Sequence, residues 1–328
     1  MRNGRSSFGA LCTALVGTAA IVLSCVREAD VPLRIGIAPW PPYELLYLAQ
    51  ENGFLGDESA NVHIVELPTQ HDVRHAYERG QLDGILATQI ELLLLRERRD
   101  LAPVVSYVLD HSTGGDVILA NGVSTLAGLR GRRIGIEPGS PGILLLLRAL
   151  ASAGVAVHDV QRIPLDPHRM SEAIASGAVD AVVSYPPFST PIERTGARRL
   201  FSSAQASDAI SDLLILEKEV VRSRTADAAG LVRAIERAIR WRAEHLDEAH
   251  AVMARREGVA ASEVAQVLAN EIQLVPFETQ TSLLEADGRV AQALRDAERL
   301  LREAGLLRGA VRDDSAVTAR VVVEAGRG

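Results

Sequence analysis

Two stretches, Arg34-Ile-Gly-Ile-Ala-Pro-Trp-Pro-Pro42 and Arg133-Ile-Gly-Ile-Glu-Pro-Gly-Ser-Pro141, are versions of one pattern. At an offset of 99 residues, Arg34, Ile35, Gly36, Ile37, Pro39, Pro42, Leu45, Leu46 and Leu48 each meet an identical residue. A second match follows in the same order. Ala76, Gly80 and Asp83 align with Ala173, Gly177 and Asp180 at an offset of 97. Two ordered matches at nearly one offset predict two lobes of similar build.

Each copy reads as strand-helix-strand-helix-strand. In the first, Arg34 to Ile37 is a short strand stopped by Pro39, and Tyr43 to Asn52 is an apolar helix closed by Gly53. Val62 to Leu67, Val73 to Arg79 and Leu82 to Ala87 continue as strand, helix and strand. In the second copy the corresponding elements are Arg133 to Ile136, Ile143 to Ala153, Gln161 to Leu165, Arg169 to Ser176 and Val179 to Ser184. Alternating strands and helices predict an α/β fold with mainly parallel sheets. Ligands of such sheets lie beyond the carboxyl ends of the strands. The loops after Ile37, Ala87, Ile136 and Ser184 are therefore where function is expected.

Composition bounds the rest. The chain has 328 residues, 47% hydrophobic and 23% charged, and a net charge of −7. That is ordinary globular composition with room for two domains, and it argues against a nucleic-acid partner, which needs a basic face. From Ala226 onward the chain is helical. Leu231, Ala234, Ile235, Ala238 and Ile239 form one apolar stripe, Ser262 is a candidate cap for a helix through Leu274, and a further helix ends near Ala304. Residues 308–328 read as a flexible tail with one apolar patch, Val321 to Val323.

The N-terminus reads as an address. Arg2 and Arg5 precede an apolar run from Phe8 to Leu23, the layout of a secretory signal. The run ends Val22-Leu23-Ser24-Cys25, which resembles the bacterial lipobox. The resemblance implies a signal peptide over 1–24, lipidation of Cys25 and a linker over 25–30. The alternative is an uncleaved anchor, since Ser6 to Val26 is 21 uncharged residues and long enough to span a bilayer. Either way the protein is exported and held at a membrane, outside the cell membrane or in the periplasm. The two cysteines are Cys12 and Cys25, so cleavage leaves none for a disulfide or a thiolate nucleophile.

The strand-end loops carry a resemblance of their own. Trp40-Pro-Pro-Tyr43-Glu-Leu-Leu-Tyr-Leu-Ala49, Gly80-Gln-Leu-Asp-Gly84, Glu137-Pro-Gly-Ser140, Gly177-Ala-Val-Asp-Ala181 and Tyr185-Pro-Pro-Phe188 resemble, in order, segments of the nitrate/sulfonate/taurine-type solute-binding proteins, a family with a branch that binds pyrimidine precursors of thiamine. The resemblance covers about Leu33 to Leu307. It implies a two-lobed type II periplasmic-binding fold with two interlobe crossings, serving the permease of an ABC importer. It places lobe 1 at 31–113 plus 213–307 and lobe 2 at 114–212. The crossings fall near Ser112-Thr-Gly-Gly-Asp116 and Ser207 to Asp212. Where this family commonly has Trp and Glu, the chain has Tyr185, which keeps an aromatic wall, and Pro186, which removes a carboxylate.

The candidate ligand-binding residues follow from these loops. Trp40, Tyr43, Tyr185 and Phe188 concentrate aromatic surface in two loops and suit a flat or apolar ligand body. Gly139 and Ser140 open a helix whose free N–H groups can hold an acceptor, although Ser140 can equally serve only as its cap. Thr88 and Gln89 follow a strand and either contact ligand or start a helix. Asp116 and Asp212 sit at the crossings and either bind a ligand amine or hold hinge backbone, and for Asp110 the hinge role is expected. His71 and His75 have the spacing of a two-His metal pair, yet no third ligand lies near in sequence, and a solvated helix face is expected. No phosphate loop, dinucleotide fingerprint or nucleophile elbow occurs. The expectation is a monomeric binding protein for a small organic solute, sulfonate-, taurine- or pyrimidine-like, with no cofactor, metal or catalytic residue. The alternatives are a synthase-like enzyme on the same fold and a ligand sensor.

Overall fold

The structure, a computed structural model, describes residues 31–206, 210–311 and 314–328. The signal, the linker, Cys25 and the first residues of the second crossing lie outside the described residues. In chain order the first unit comprises β1 (Leu33–Ile37), α1 (Glu44–Glu51), α2 (Phe54–Asp57), β2 (Val62–Glu66), α3 (Gln70–Glu78), β3 (Gly84–Ala87) and α4 (Gln89–Arg96), followed by the long strand β4 (Pro103–Ser112). The second comprises β5 (Val117–Ala120), β6 (Arg133–Ile136), α5 (Gly142–Ser152), β7 (Gln161–Pro164), α6 (Met170–Ala175), β8 (Ala181–Ser184), α7 (Ser189–Arg194) and β9 (Arg198–Ser202). Then come β10 (Ser211–Glu217), α8 (Lys218–Ser223), α9 (Thr225–Glu244), α10 (Leu246–Glu257), α11 (Ala261–Asn270), β11 (Ile272–Leu274), α12 (Gln280–Leu283), α13 (Arg289–Glu303) and α14 (Arg320–Ala325).

The strands form two sheets. One has the order β11-β4-β10-β3-β1-β2 and the other β7-β6-β8-β5-β9. The duplicated units supply the parallel pairs, β1 with β2 and β3, and β6 with β7 and β8. The strands that lead into and out of the crossings, β4, β5 and β10, pair antiparallel. Helices flank both sheets, giving the α/β architecture expected. Among the described residues, no helix is long and apolar enough to cross a membrane.

The sequence repeat has a physical basis. The Arg34 guanidinium donates to both Asp83 carboxylate oxygens and to the Gly80 carbonyl, and its backbone N–H also donates to Asp83. Arg133 makes the same set with Asp180 and Gly177. Each pair ties the start of the unit's first strand to the turn before its third. Gly36 is required by close approach, since a Cβ there would lie 2.4 Å from Leu82 Cδ1, and Gly135 is in the same position against Leu165 at 2.7 Å.

Two expectations change in the C-terminal part. Ser262 does not cap its helix. Ala260 is the cap, and α11 ends at Asn270. The chain then extends as β11 along the edge of β4. The tail is not loose over the residues described. Where β11 ends, Val105 of β4 donates to the Ala316 carbonyl and accepts from Thr318 N–H, so the tail completes the sheet edge. The buried Arg96 guanidinium reaches Asp314 at 2.8 Å, and Val321, Val322 and Ala325 of α14 bury against α9. The apolar patch of the sequence is thus a docking face for α14, strong enough to order a polar segment around it.

Candidate functional site

β1 and β6 each end in a Pro-rich loop, and the two loops face one another across the lobes. Trp40 follows β1 in an extended conformation (φ −166°) that turns its ring toward the second sheet. There it meets Tyr185, just beyond β8, edge to face with ring centroids 6.0 Å apart. Phe188 backs Tyr185 at 5.4 Å and packs on His168 at 4.7 Å. Gly115 in the first crossing makes room for the indole, because a Cβ there would sit 2.9 Å from Trp40 Cη2.

These rings close one small cavity. It is lined by Pro39, Trp40, Gln70, Thr88, Asp116, Pro141, Tyr185, Ile210 and Asp212 and holds about 20 Å³, room for one water. Lobe 1, lobe 2 and both crossings all contribute. Five sequence-selected residues therefore meet at this wall: Trp40, Thr88, Asp116, Tyr185 and Asp212. Tyr43 stands directly behind, its hydroxyl donating to Asp212 Oδ1 and accepting from Gln70 Nε2 at 3.1 Å. Gln70, Pro39, Pro141 and Ile210 were not singled out from the sequence. The signal for Gln70 was its place at the first turn of α3, behind the Thr69 cap.

The remaining candidates sit around this cavity rather than on it. Gln89 Oε1 accepts from Ser211 N–H at 3.0 Å and holds the second crossing. Ser140 Oγ donates to the Glu137 carbonyl at 3.0 Å and is buried. Gly139 turns away, its positive φ of 69° directing it into a separate groove of about 580 Å³ with Arg74, Leu94, Arg162 and Leu301. Glu137 also lines that groove and accepts from Tyr185 Oη at 2.9 Å and from His71 N–H at 3.0 Å. The Tyr185–Glu137 bond thus forms part of the wall between groove and cavity. His71 and His75 stack edge to face at 4.3 Å, with His71 Nδ1 3.1 Å from the Pro138 carbonyl and His75 Nδ1 2.7 Å from Glu78 Oε2. This pair helps seat one lobe on the other.

The electrostatics of the cavity are unusual. Asp110 on β4 and Asp212 on β10 stand opposite each other in register, both buried. Burial, and then their mutual repulsion, push Asp110 well above the ordinary carboxylate range. Burial raises Asp212 as well, against the Tyr43 hydrogen bond. Burial pushes Asp116 up to about 7, with Ser112 opposing and Glu91 adding to the shift. Glu137 is likewise raised to about 7 by burial, against the bonds from His71 and Tyr185. Thr88 forms a capping box with Glu91, its hydroxyl donating at 2.6 Å. Both Asp110 oxygens, Gln70 Oε1 and the Trp40 indole nitrogen are buried without a hydrogen-bond partner. The indole N–H approaches Asp110 closely enough to favour its charged form.

A Brucella abortus protein whose binding role is itself an inference is 41% identical over 71 residues, 21% of this chain and 22% of that relative. The match thus spans about a fifth of that relative's length. In fold, the chain is similar to the alkanesulfonate-binding protein SsuA from Xanthomonas axonopodis pv. citri bound to MOPS, with a TM-score of 0.75 at 23% identity over 88% of this chain and 98% of that one. It is also similar to the desulfurization enzyme DSZB, with a TM-score of 0.65 at 19% identity over 90% of this chain and 99% of that one. The model of the family described as NMT1/THI5 like matches residues 40–249. That span begins at Trp40 and takes in Thr88, both crossings, Tyr185 and Asp212, and the chain belongs to the NMT1/THI5-like family.

Proposed function

We propose that this protein is the extracytoplasmic solute-binding component of an ABC importer. It captures a small organic solute between its lobes and presents the closed form to a membrane permease. The observation that carries the reading is the wall of this cavity, assembled from both lobes and both crossings, which are drawn together around about 20 Å³ and must part to admit a solute. A solute held there touches both halves at once, so it stabilises closure over opening and shifts a pre-existing equilibrium. The alkanesulfonate-binding fold neighbour and the family match support this role. The lobes are 31–113 with 213–307, and 114–212, with the hinges at the two crossings. Cys25 carries a lipid anchor that holds a monomer at the outer face of the membrane.

The fold also serves the desulfurization enzyme, so catalysis is the competing reading. It is disfavoured because no cysteine, and so no thiolate nucleophile, lies among the described residues. The test is native mass spectrometry of the purified protein for a co-purified small molecule, together with small-angle scattering before and after its removal. A released solute, recovered unaltered, whose return makes the particle more compact supports capture. Chemical conversion of that solute by catalytic amounts of protein would establish the enzyme instead.

A further inference from the structure

The donors and acceptors around the cavity bear on the charge of the solute, granted that the cavity is the capture site. An anionic head needs donors or fixed positive charge. No Arg or Lys lines the cavity. The hydroxyl protons at its wall are already engaged: Tyr43 donates to Asp212, Thr88 to Glu91, Ser140 to the Glu137 carbonyl and Tyr185 to the Glu137 carboxylate. Pro141, at the first turn of α5, has no N–H to offer. Of the side chains that line the cavity, the Trp40 indole is the donor without a hydrogen-bond partner, and it faces Asp110.

Acceptors, by contrast, are in excess. Asp116 and Asp212 line the cavity, and Asp110 lies behind, close to Asp212 and to the Trp40 indole. Gln70 gives an observation independent of the acids. It is 5% exposed and lines the cavity. Its Nε2 is held by Tyr43, which leaves Oε1 buried without a partner. A buried acceptor left unmatched costs free energy that a donor from a ligand would recover. Buried carboxyls held neutral by their surroundings recover charge when a cation arrives.

We propose that the solute is an organic cation with N–H donors, a primary ammonium or amidinium on a flat body, with its head between Asp116, Asp212 and Gln70 Oε1 and its body against Trp40 and Tyr185. A sulfonate placed in the same cavity would bring its charge to Asp116 and Asp212 with no Arg or Lys in the wall to balance it.

The test uses four probes of similar shape, benzylammonium, benzamidinium, benzyl alcohol and benzenesulfonate, titrated into the full-length protein by calorimetry, with Trp40 fluorescence as the cleft reporter. At least one cation should bind more tightly than benzyl alcohol and benzenesulfonate. The isosteric Asp116→Asn should weaken the cation by at least about thirtyfold, the lower end of what losing one partner of a buried charge pair costs. Gln70→Leu, which keeps every carboxylate, should also weaken it and serves if Asp116→Asn folds poorly. Tighter binding of benzenesulfonate with a Trp40 signal would overturn the charge assignment and leave the capture reading standing. A Trp40 signal from benzyl alcohol alone would do the same. Absence of a Trp40 signal from all four would overturn both.

Discussion

Asp110 and Asp212 face each other across adjacent antiparallel strands, and both are buried. Like charges opposed in this way are destabilising, and burial adds to the cost of ionising either one. The pair keeps a proton that an exposed pair would lose. Asp116 adds a third carboxyl beside them, with Glu91 and Glu271 as its further acidic neighbours.

This sets the pH dependence of the empty protein. A carboxyl whose folded pKa is raised binds its proton more tightly when folded, so it stabilises in acid and loses that contribution as pH rises. For Asp116 the loss runs from its ordinary 3.8 up to about 7. Asp83 and Asp180, lowered below the carboxylate range chiefly by their arginine partners after burial is offset, act the other way and only at more acidic pH. Thermal melts should therefore show the apo protein losing stability as pH rises through this window. Asp116→Asn should reduce the slope, the remainder belonging to Asp212, Glu137 and Glu44, which burial likewise raises to about 7, and an unchanged slope would mean that Asp116 does not contribute.

Gly115→Ala should act on the cleft rather than on either lobe. The added methyl would lie 2.9 Å from Trp40 Cη2, and overpacking of this kind costs about 1–3 kcal/mol. The indole must shift from its seat against Gly115. Its fluorescence should move toward that of an exposed ring, and ligand-induced stabilisation should shrink. An unaltered emission spectrum would contradict this placement of Trp40.

Ser140→Ala should lower the melting temperature of the empty protein. It removes the bond to the Glu137 carbonyl, which is worth about 1 kcal/mol, or roughly 2 °C for a chain larger than 250 residues. If Ser140 also touches the solute, the ligand-induced shift, referred to each variant's own apo value, falls as well. An equal shift in both proteins would limit Ser140 to holding the loop.

Deleting residues 314–328 should be severe. It strips the edge of β4 near Val105, uncovers the α14 face of α9 and leaves the buried Arg96 guanidinium without Asp314. Breaking a buried ion pair from one side alone costs about 3–5 kcal/mol. Urea unfolding of the truncated protein should show a clearly lower midpoint.

Cys25→Ala should abolish labelling by a fatty-acid analogue in a bacterial host and release the protein from the membrane fraction, since stable anchoring needs more than one acyl chain. Labelling that persists would place the anchor elsewhere.

The units of the fold were legible because their constraints are local. Gly36, Gly53, Gly80 and Asp83, with their counterparts in the second unit, answer to turns, close approaches and one repeated ion pair, all within a single βαβαβ segment. The aromatic wall could be read from the concentration of Trp40, Tyr43, Tyr185 and Phe188 in two loops. What escaped depends on partners distant in sequence. β11 is a strand only because β4 offers it an edge, and α14 is ordered only because α9 offers it a face. Gly139 and Ser140 are neighbours in sequence, yet a left-handed turn sends Gly139 into the groove while Ser140 stays buried behind the loop. Gln70 carries no motif, and its place at the cavity follows from how α3 is set against Tyr43.

The position of β10 between β3 and β4 bears on the order in which the molecule is built. β4 reaches the first sheet only through β10, and β10 is made about a hundred residues later. Until then β3 has an open edge and β4 no neighbour in the sheet. The strands of the second sheet, from Val117 to Ser202, are by contrast one uninterrupted stretch and can assemble as soon as it is complete, because contacts close in sequence form first. In pulse-labelled hydrogen exchange during refolding, β5 to β9 should gain protection before β4. The lobe that begins the chain is then the last to finish, completed by a strand and a final helix that arrive after its partner is already folded.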